Sequence, residues 1–213
     1  MADVARVRAL LDAGSDPWSR AAPLHLTASA LVVDPGTGRV LLRWHKRQQM
    51  WLQVGGHADP GEADPLAIAL REAAEETGLA DLRPWPDDRI WHVAICQVAA
   101  GKGEPAHEHA DLRYLLSTGD PAAVRPESPG APLRWLTLGE ARTVVGTNNL
   151  RVTLDRVEQA LLEGRAPLGG QLERPPLERL LDGVLLVKRH EFRHGVSRQC
   201  AGRVVVVSGP VKI

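Results

Sequence analysis

The sequence predicts an α/β protein in which a mixed β-sheet is covered by helices on its faces. Segments rich in strand formers alternate irregularly with amphipathic helical segments, which argues for a mixed sheet. The chain has 213 residues, 44% hydrophobic and 24% charged, enough for one core of ordinary size with an appendage. No internal repeat breaks it into smaller units.

Val4, Val7, Leu10 and Leu11 fall at helical spacing, so a short helix precedes the core. His25 to Val33 favour strand, Asp34-Pro-Gly-Thr-Gly38 carries turn chemistry, and Val40-Leu-Leu42 resumes the strand, which makes a hairpin. Met50 to Gly61 is rich in Gly and Pro and reads as a loop. Asp64 then caps a helix with Pro65 at its first position, and Gly78 stops it after Thr77. Arg89 to Val98 and Asp111 to Leu116 predict two further strands joined by the polar stretch Gly101 to His109. Pro132 to Leu136 is a short strand, Thr137 and Glu140 form a capping box, and Asn149 to Leu162 is a last amphipathic helix. The expected organisation is an N-terminal helical extension (1–22), a main domain (23–164) and a basic C-terminal extension (165–213).

Lys plus Arg and Asp plus Glu both number 26, so no global field draws the protein to nucleic acid or a membrane surface. After Gly164 the character changes, with nine cations against four acids, or +5, leaving −5 for the part before it. Those cations lack aromatic interleaving, so the tail reads as a solvated extension or an added hairpin, and nucleic-acid binding is not expected. Its Val204 to Val207 run suits an edge strand or a homodimer contact. Two cysteines cannot form a disulfide framework, no apolar run approaches the roughly 18 residues of a membrane span, and no export signal is visible, so a cytoplasmic location is expected.

The most informative stretches are Gly55-Gly-His-Ala-Asp-Pro-Gly-Glu62 and Leu70-Arg-Glu-Ala-Ala-Glu-Glu-Thr-Gly-Leu79. On a helix, Glu72, Glu75 and Glu76 stand at i, i+3 and i+4, with Cβ atoms about 5–6 Å apart. Like charges so placed repel, and they meet the negative end of the helix dipole. A solvated face relieved by Arg71 is the plain alternative, but the preceding glycines let backbone groups approach the same place. Hard oxygen ligands at this density suit Mg²⁺ or Mn²⁺ bridging to a diphosphate.

These residues resemble the Nudix box. Gly56 to Glu62 has its first spacing and Arg71 to Leu79 its second half; eight residues separate Glu62 from Arg71 instead of seven, with the extra one placed in the turn before Pro65. The resemblance covers about Thr27 to Leu162 and implies a Nudix fold, an α/β/α sandwich with a mixed β-sheet. It implies Mg²⁺-dependent hydrolysis of a nucleoside diphosphate linked to another moiety (a nucleoside triphosphate, a nucleotide sugar or an ADP-ribose-like compound), by in-line attack of water on phosphorus. Glu75 and Glu76 then resemble the principal metal ligands, Glu72 a further ligand or orienter of water, and Gly55 a backbone carbonyl ligand. Gly56 and Glu62 belong to the same loop, and Arg71 orients the glutamates through a bidentate guanidinium. The family's general base is a box glutamate or an acid from another loop.

Other residues are candidates for reading the substrate. His107, His109 and Asp111 share one strand face at period 2, and Glu104 and Glu108 are nearby acids. His57 follows the glycines, Arg43, Lys46 and Arg47 could meet phosphates, and at most one of Trp44, Trp51, Trp85 and Trp91 is expected to stack on a base. Cys96 reads as buried in an apolar strand. Two other classes compete. A non-catalytic nucleotide sensor would show a degraded box, whereas all three helix glutamates are present. An isopentenyl diphosphate isomerase would need a catalytic cysteine, and Cys96 has no supporting His-Pro context.

Overall fold

The computed structural model describes residues 2–101 and 103–164; the basic extension, with its Val204 to Val207 run, lies outside them. The chain runs α1 (Ala2–Asp12), β1 (Leu24–Asp34), β2 (Arg39–His45), β3 (Met50–Leu52), β4 (Val54–Gly56), α2 (Pro65–Thr77), β5 (Arg83–Pro84), β6 (His92–Val98), β7 (His107–Ser117), a short 3₁₀ turn (Pro121–Ala123), β8 (Leu133–Thr137), α3 (Leu138–Val144) and α4 (Asn148–Gly164). The sheet is mixed, because β1 and β7 run parallel while every other strand pairing among the described residues is antiparallel.

β1 is the axis. Its far end pairs with β2 (Val32 opposite Leu41), and its near end pairs with β4 (Ala28 opposite Gly56). β3 meanwhile pairs with β2 (Trp44 opposite Trp51). Residues 50–56, expected as loop, are thus two short strands broken at Gln53 that fill the gap where β1 and β2 diverge. Three-residue strands are too short to carry a period, so only their partners identify them. β7 also begins four residues earlier than Asp111, since β1 and β6 flank its polar start and complete its ladder (His25 opposite His109, Cys96 opposite His109). The two-residue β5 has no sequence signature.

Period-2 alternation along β1 sorts two cores. Leu26, Ala28, Ala30 and Val32 pack with Val7 and Leu11 of α1 and with Ile68, Ala69 and Ala73 of α2. Leu31 and Val33 pack with Val40, Leu42 and Leu115 against Ala141 of α3 and Leu150, Leu154 and Val157 of α4. The result is the expected three-layer α/β/α sandwich. Deleting one of these buried leucines costs about 2–5 kcal/mol. Asp64 accepts from the Leu66 and Ala67 amides, Gly78 closes α2 in the left-handed region, and Thr137 and Glu140 form the expected capping box. Among the described residues no helix is long and apolar enough to cross a membrane.

On the second face the alternation changes character. His25, Thr27 and Ser29 of β1 lie beside His109, Asp111 and Arg113 of β7, and the next pair is Leu31 beside Leu115. Helices α3 and α4 cover the apolar half, and the polar half becomes the floor of a cavity.

At the border, His92 of β6 meets α4, with Nδ1 2.9 Å from Thr153 Oγ1. Burial, reinforced by Arg113 and Arg156, lowers its pKa to about 3. The unfolded chain therefore takes this proton first, so the stability His92 contributes is present above about pH 6.5 and is lost as pH falls toward 3. In urea denaturation series, the wild-type protein should lose stability on acidification faster than His92→Gln, the difference approaching about 1.4 kcal/mol per pH unit well below 6.5. Parallel curves would show that His92 is charged in the fold.

Candidate functional site

Helix α2 carries the acids on the side away from its core residues. Arg71 forks onto Glu62, with Nε to Oε1 at 3.0 Å and Nη2 to Oε2 at 2.8 Å. Its Nη1 donates to Glu72 (3.0 Å) and Glu75 (3.3 Å), and Nη2 also donates to the His57 carbonyl (2.9 Å). Glu62 thus reaches Arg71 despite the longer spacing. Ala63 and Asp64 lie ahead of the helix, which starts at Pro65.

Glu76 points at the neighbouring strand. Its Oε2 accepts from the Gly55 amide at 3.0 Å, and Oε1 pairs with Arg43 at 3.1 Å, while Arg43 also donates to Glu127. Burial pushes the Glu76 carboxyl up to about 7, against the opposing pull of Arg43. Glu72 is likewise raised by burial, whereas the Arg71 hydrogen bonds hold Glu62 below the usual range.

Two glycines make this approach possible. Gly55 has φ 142°, and a Cβ there would lie 2.4 Å from the Ser29 Cα. A Cβ on Gly56 would lie 2.6 Å from the Glu72 carboxyl carbon. The space beside Glu72 therefore exists only because residue 56 has no side chain. Glu72, Glu75 and Glu76 are hard-oxygen groups of the kind that Mg²⁺ takes, and their face attracts positive charge from Arg43 and Arg71.

Gly55 and Gly56 also line a cavity of about 360 Å³ on the polar half of the sheet, within the usual range for small-molecule sites. Its floor is one hydrogen-bonded network. Asp111 accepts from Thr27 (3.1 Å), Ser29 (2.9 Å), Gln53 (3.0 Å) and Arg113 (2.8 Å), so its carboxylate is fully engaged. Arg113, 2% exposed, reaches on to Thr153 and Asn149. Gln53 Oε1 is buried with no partner, an acceptor aimed at nothing in the protein. Cys96, expected to be buried, is half-buried on the cavity wall, where Arg113 and Asn149 donate to its sulfur. Burial pushes that thiol up to about 11.

Of the substrate-reading candidates, His57, His109 and Asp111 line the cavity, whereas Arg43 is turned to Glu76. His57 and His109 are joined by His25 and His107, and burial depresses His57 to about 4 and His109 to about 3. Thr27, Ser29, Gln53, Arg113 and Asn149 also line the cavity, beyond the residues expected from the sequence. The period-2 polar run His25, Thr27, Ser29 in an otherwise apolar strand is the signal that points to them. Glu104 pairs with Arg47 and Glu108 with Arg6, so both acids are committed away from the α2 face. Trp44 and Trp51 pack edge to face, Trp85 and Trp91 join the second core, and none of the four lines the cavity.

Residues 23–155 match the NUDIX domain model. A curated relative from Lactococcus lactis subsp. cremoris (strain MG1363), named a probable DHNTP pyrophosphohydrolase, is 32% identical over 108 residues, which is 50% of this chain and 61% of that protein. The aligned part thus spans less than two thirds of that relative. Among solved structures, the C. elegans Ap4A hydrolase binary complex aligns with a TM-score of 0.51 at 22% identity, covering 65% of this chain and 98% of that one, which establishes a shared fold. A NUDIX-family hydrolase from Clostridium perfringens aligns at 25% identity with a TM-score of 0.49, over 66% and 98% of the two chains. With the family model covering more than half of its residues, and with Gly56, Glu62 and Arg71 to Gly78 in the box positions, this chain belongs to the NUDIX family.

Proposed function

We propose that the protein is a pyrophosphohydrolase that cleaves the diphosphate linkage of a nucleoside diphosphate linked to another moiety, with Mg²⁺ or Mn²⁺, in the cytoplasm. The observation that carries this reading is the position of Gly55 and Gly56, whose backbone lies between the α2 carboxylates and the cavity. A diphosphate on the acid face would place its nucleoside in the cavity.

Glu75 and Glu76 are assigned as principal ligands of the ion, with Glu72 and the Gly55 carbonyl completing the set. When bound, the ion supplies neutralisation of diphosphate charge and activation of the attacking water. Arg71 fixes the rotamers of Glu62, Glu72 and Glu75, and the Gly55 amide and Arg43 fix Glu76. Asp111, saturated by donors, holds the cavity floor, and the free Gln53 Oε1 accepts from a donor on the substrate. His57 and His109 stand on the wall. A cysteine-dependent isomerase is disfavoured, because the raised Cys96 thiol is a poor proton donor or nucleophile at neutral pH.

The test is turnover of nucleoside triphosphates, dihydroneopterin triphosphate, nucleotide sugars, ADP-ribose and dinucleoside polyphosphates, with products resolved by chromatography, with and without Mg²⁺. Metal-dependent release of a phosphate-containing product from at least one of them is expected. Silence across the panel, with tight binding of one compound, would replace the hydrolase with a sensor.

A further inference from the structure

Four of the eight histidines turn their Nε2 atoms toward one another, and the hydrolysis proposed above does not require this. His25 comes from β1, His57 from the turn after β4, and His107 and His109 from the start of β7. His57 Nε2 lies 3.1 Å from His25 Nε2 and 3.2 Å from His109 Nε2, and His107 Nε2 lies 3.1 Å from His109 Nε2. Ligand atoms of His25, His57 and His109 all fall within 4.8 Å of one another.

Proton counting shows that neutral imidazoles alone do not complete the cluster. His25 Nδ1 is 2.9 Å from the Ala22 carbonyl and His107 Nδ1 is 2.9 Å from the Pro105 carbonyl. A carbonyl only accepts, so both Nδ1 atoms carry the proton and both Nε2 atoms are left as lone pairs. Donors on both His57 and His109 Nε2 would set two N–H groups face to face. A donor on only one of them leaves a lone pair against a lone pair, at His25 or at His107. Among neutral imidazoles no tautomer set satisfies all three contacts, whereas one cation among His25, His57 and His109 satisfies their inward lone pairs at once. The backbone carbonyl behind His25 is the kind of partner that orients a metal-binding imidazole.

The ligand type selects the ion. Imidazole suits Zn²⁺ and is a poor match for Mg²⁺, and tetrahedral zinc with bonds of about 2.0–2.1 Å sets its ligand nitrogens about 3.3 Å apart. The observed 3.1 and 3.2 Å separations are close to that spacing. We infer that His25, His57 and His109 form a zinc site separate from the carboxylate face, with His107 beside His109 at its edge. It clips the start of β1, the glycine turn and the start of β7 together. It also separates the main cavity from a second of about 250 Å³ lined by His25, His57 and His107. Because the His57 carbonyl accepts from Arg71, zinc at His57 also steadies the peptide that positions this arginine. The inference stands on the cluster alone and not on the proposed hydrolysis.

Zn²⁺ titrated calorimetrically into chelator-stripped full-length protein should bind at one equivalent and raise the melting temperature. Co²⁺ in its place should show the intense visible bands of a tetrahedral site. His57→Ala and His109→Ala should each weaken Zn²⁺ binding by at least about tenfold and abolish those bands. His190→Ala with His194→Ala in the C-terminal extension, and Glu76→Gln on the acid face, should leave both unchanged. His57→Cys, which supplies another zinc ligand, should restore binding and add a cobalt–thiolate absorption, a gain that a merely misfolded variant would not show. No bound zinc, binding that survives the loss of both His57 and His109, or binding lost in Glu76→Gln would each overturn the assignment.

Discussion

Glu76→Gln should lower kcat/KM for whichever substrate the panel identifies by at least about 10²-fold, with the fold intact. Glutamine keeps the shape of the side chain and an oxygen to accept from the Gly55 amide, but it removes the charge assigned to the metal. Arg43 retains Glu127 as a partner, so no guanidinium is stranded. The stability effect has a definite sign. A carboxyl raised to about 7 in the fold contributes stability that is present below its unfolded value and lost as pH rises through 7. At pH 8 in chelator the wild type carries that ionised, buried group and the variant does not, so the variant should melt no lower than wild type. Wild-type turnover in Glu76→Gln would remove Glu76 from the ligand set.

Asp111→Ala should be the most destabilising of the substitutions considered, by about 3–5 kcal/mol in urea denaturation. Asp111 and Arg113 are 5% and 2% exposed and lie 2.8 Å apart. Removing the carboxylate strands a buried guanidinium and deprives Thr27, Ser29 and Gln53 of their acceptor. Adding Arg113→Met should return part of the loss, since the stranded charge is then gone. The difference measures the coupling within the network. A cost below about 1 kcal/mol for Asp111→Ala would mean that water or another acceptor replaces the carboxylate without strain.

Asp111 also shows how much of the site was legible beforehand. Period 2 placed His107, His109 and Asp111 on one face, and the structure keeps them there. What Asp111 does depends on Thr27 and Ser29, more than 80 residues away, which convert an apparent substrate-reading acid into the anchor of the floor. Arg43 followed the same course. Its position after a strand suggested a phosphate contact, and the packing of α2 against β4 supplied Glu76 instead. Residues 50–56 carry loop composition, and their strand character lies in their partners.

The sequence by itself determined whatever depends on neighbours along the chain. Asp64, Pro65 and Gly78 set the ends of α2, and the i, i+3, i+4 spacing of Glu72, Glu75 and Glu76 set its acid face, because helix geometry is local. The alternation of β1 and β7 likewise encoded a polar half and an apolar half of each strand. Only the tertiary structure decided that β1 and β7 run parallel in the register that lays His25 beside His109, and that Gly55 lies close enough to β1 for its amide to meet Glu76. Such pairings close long loops of chain, and their register follows from how whole layers bury their faces, which no short stretch of sequence contains.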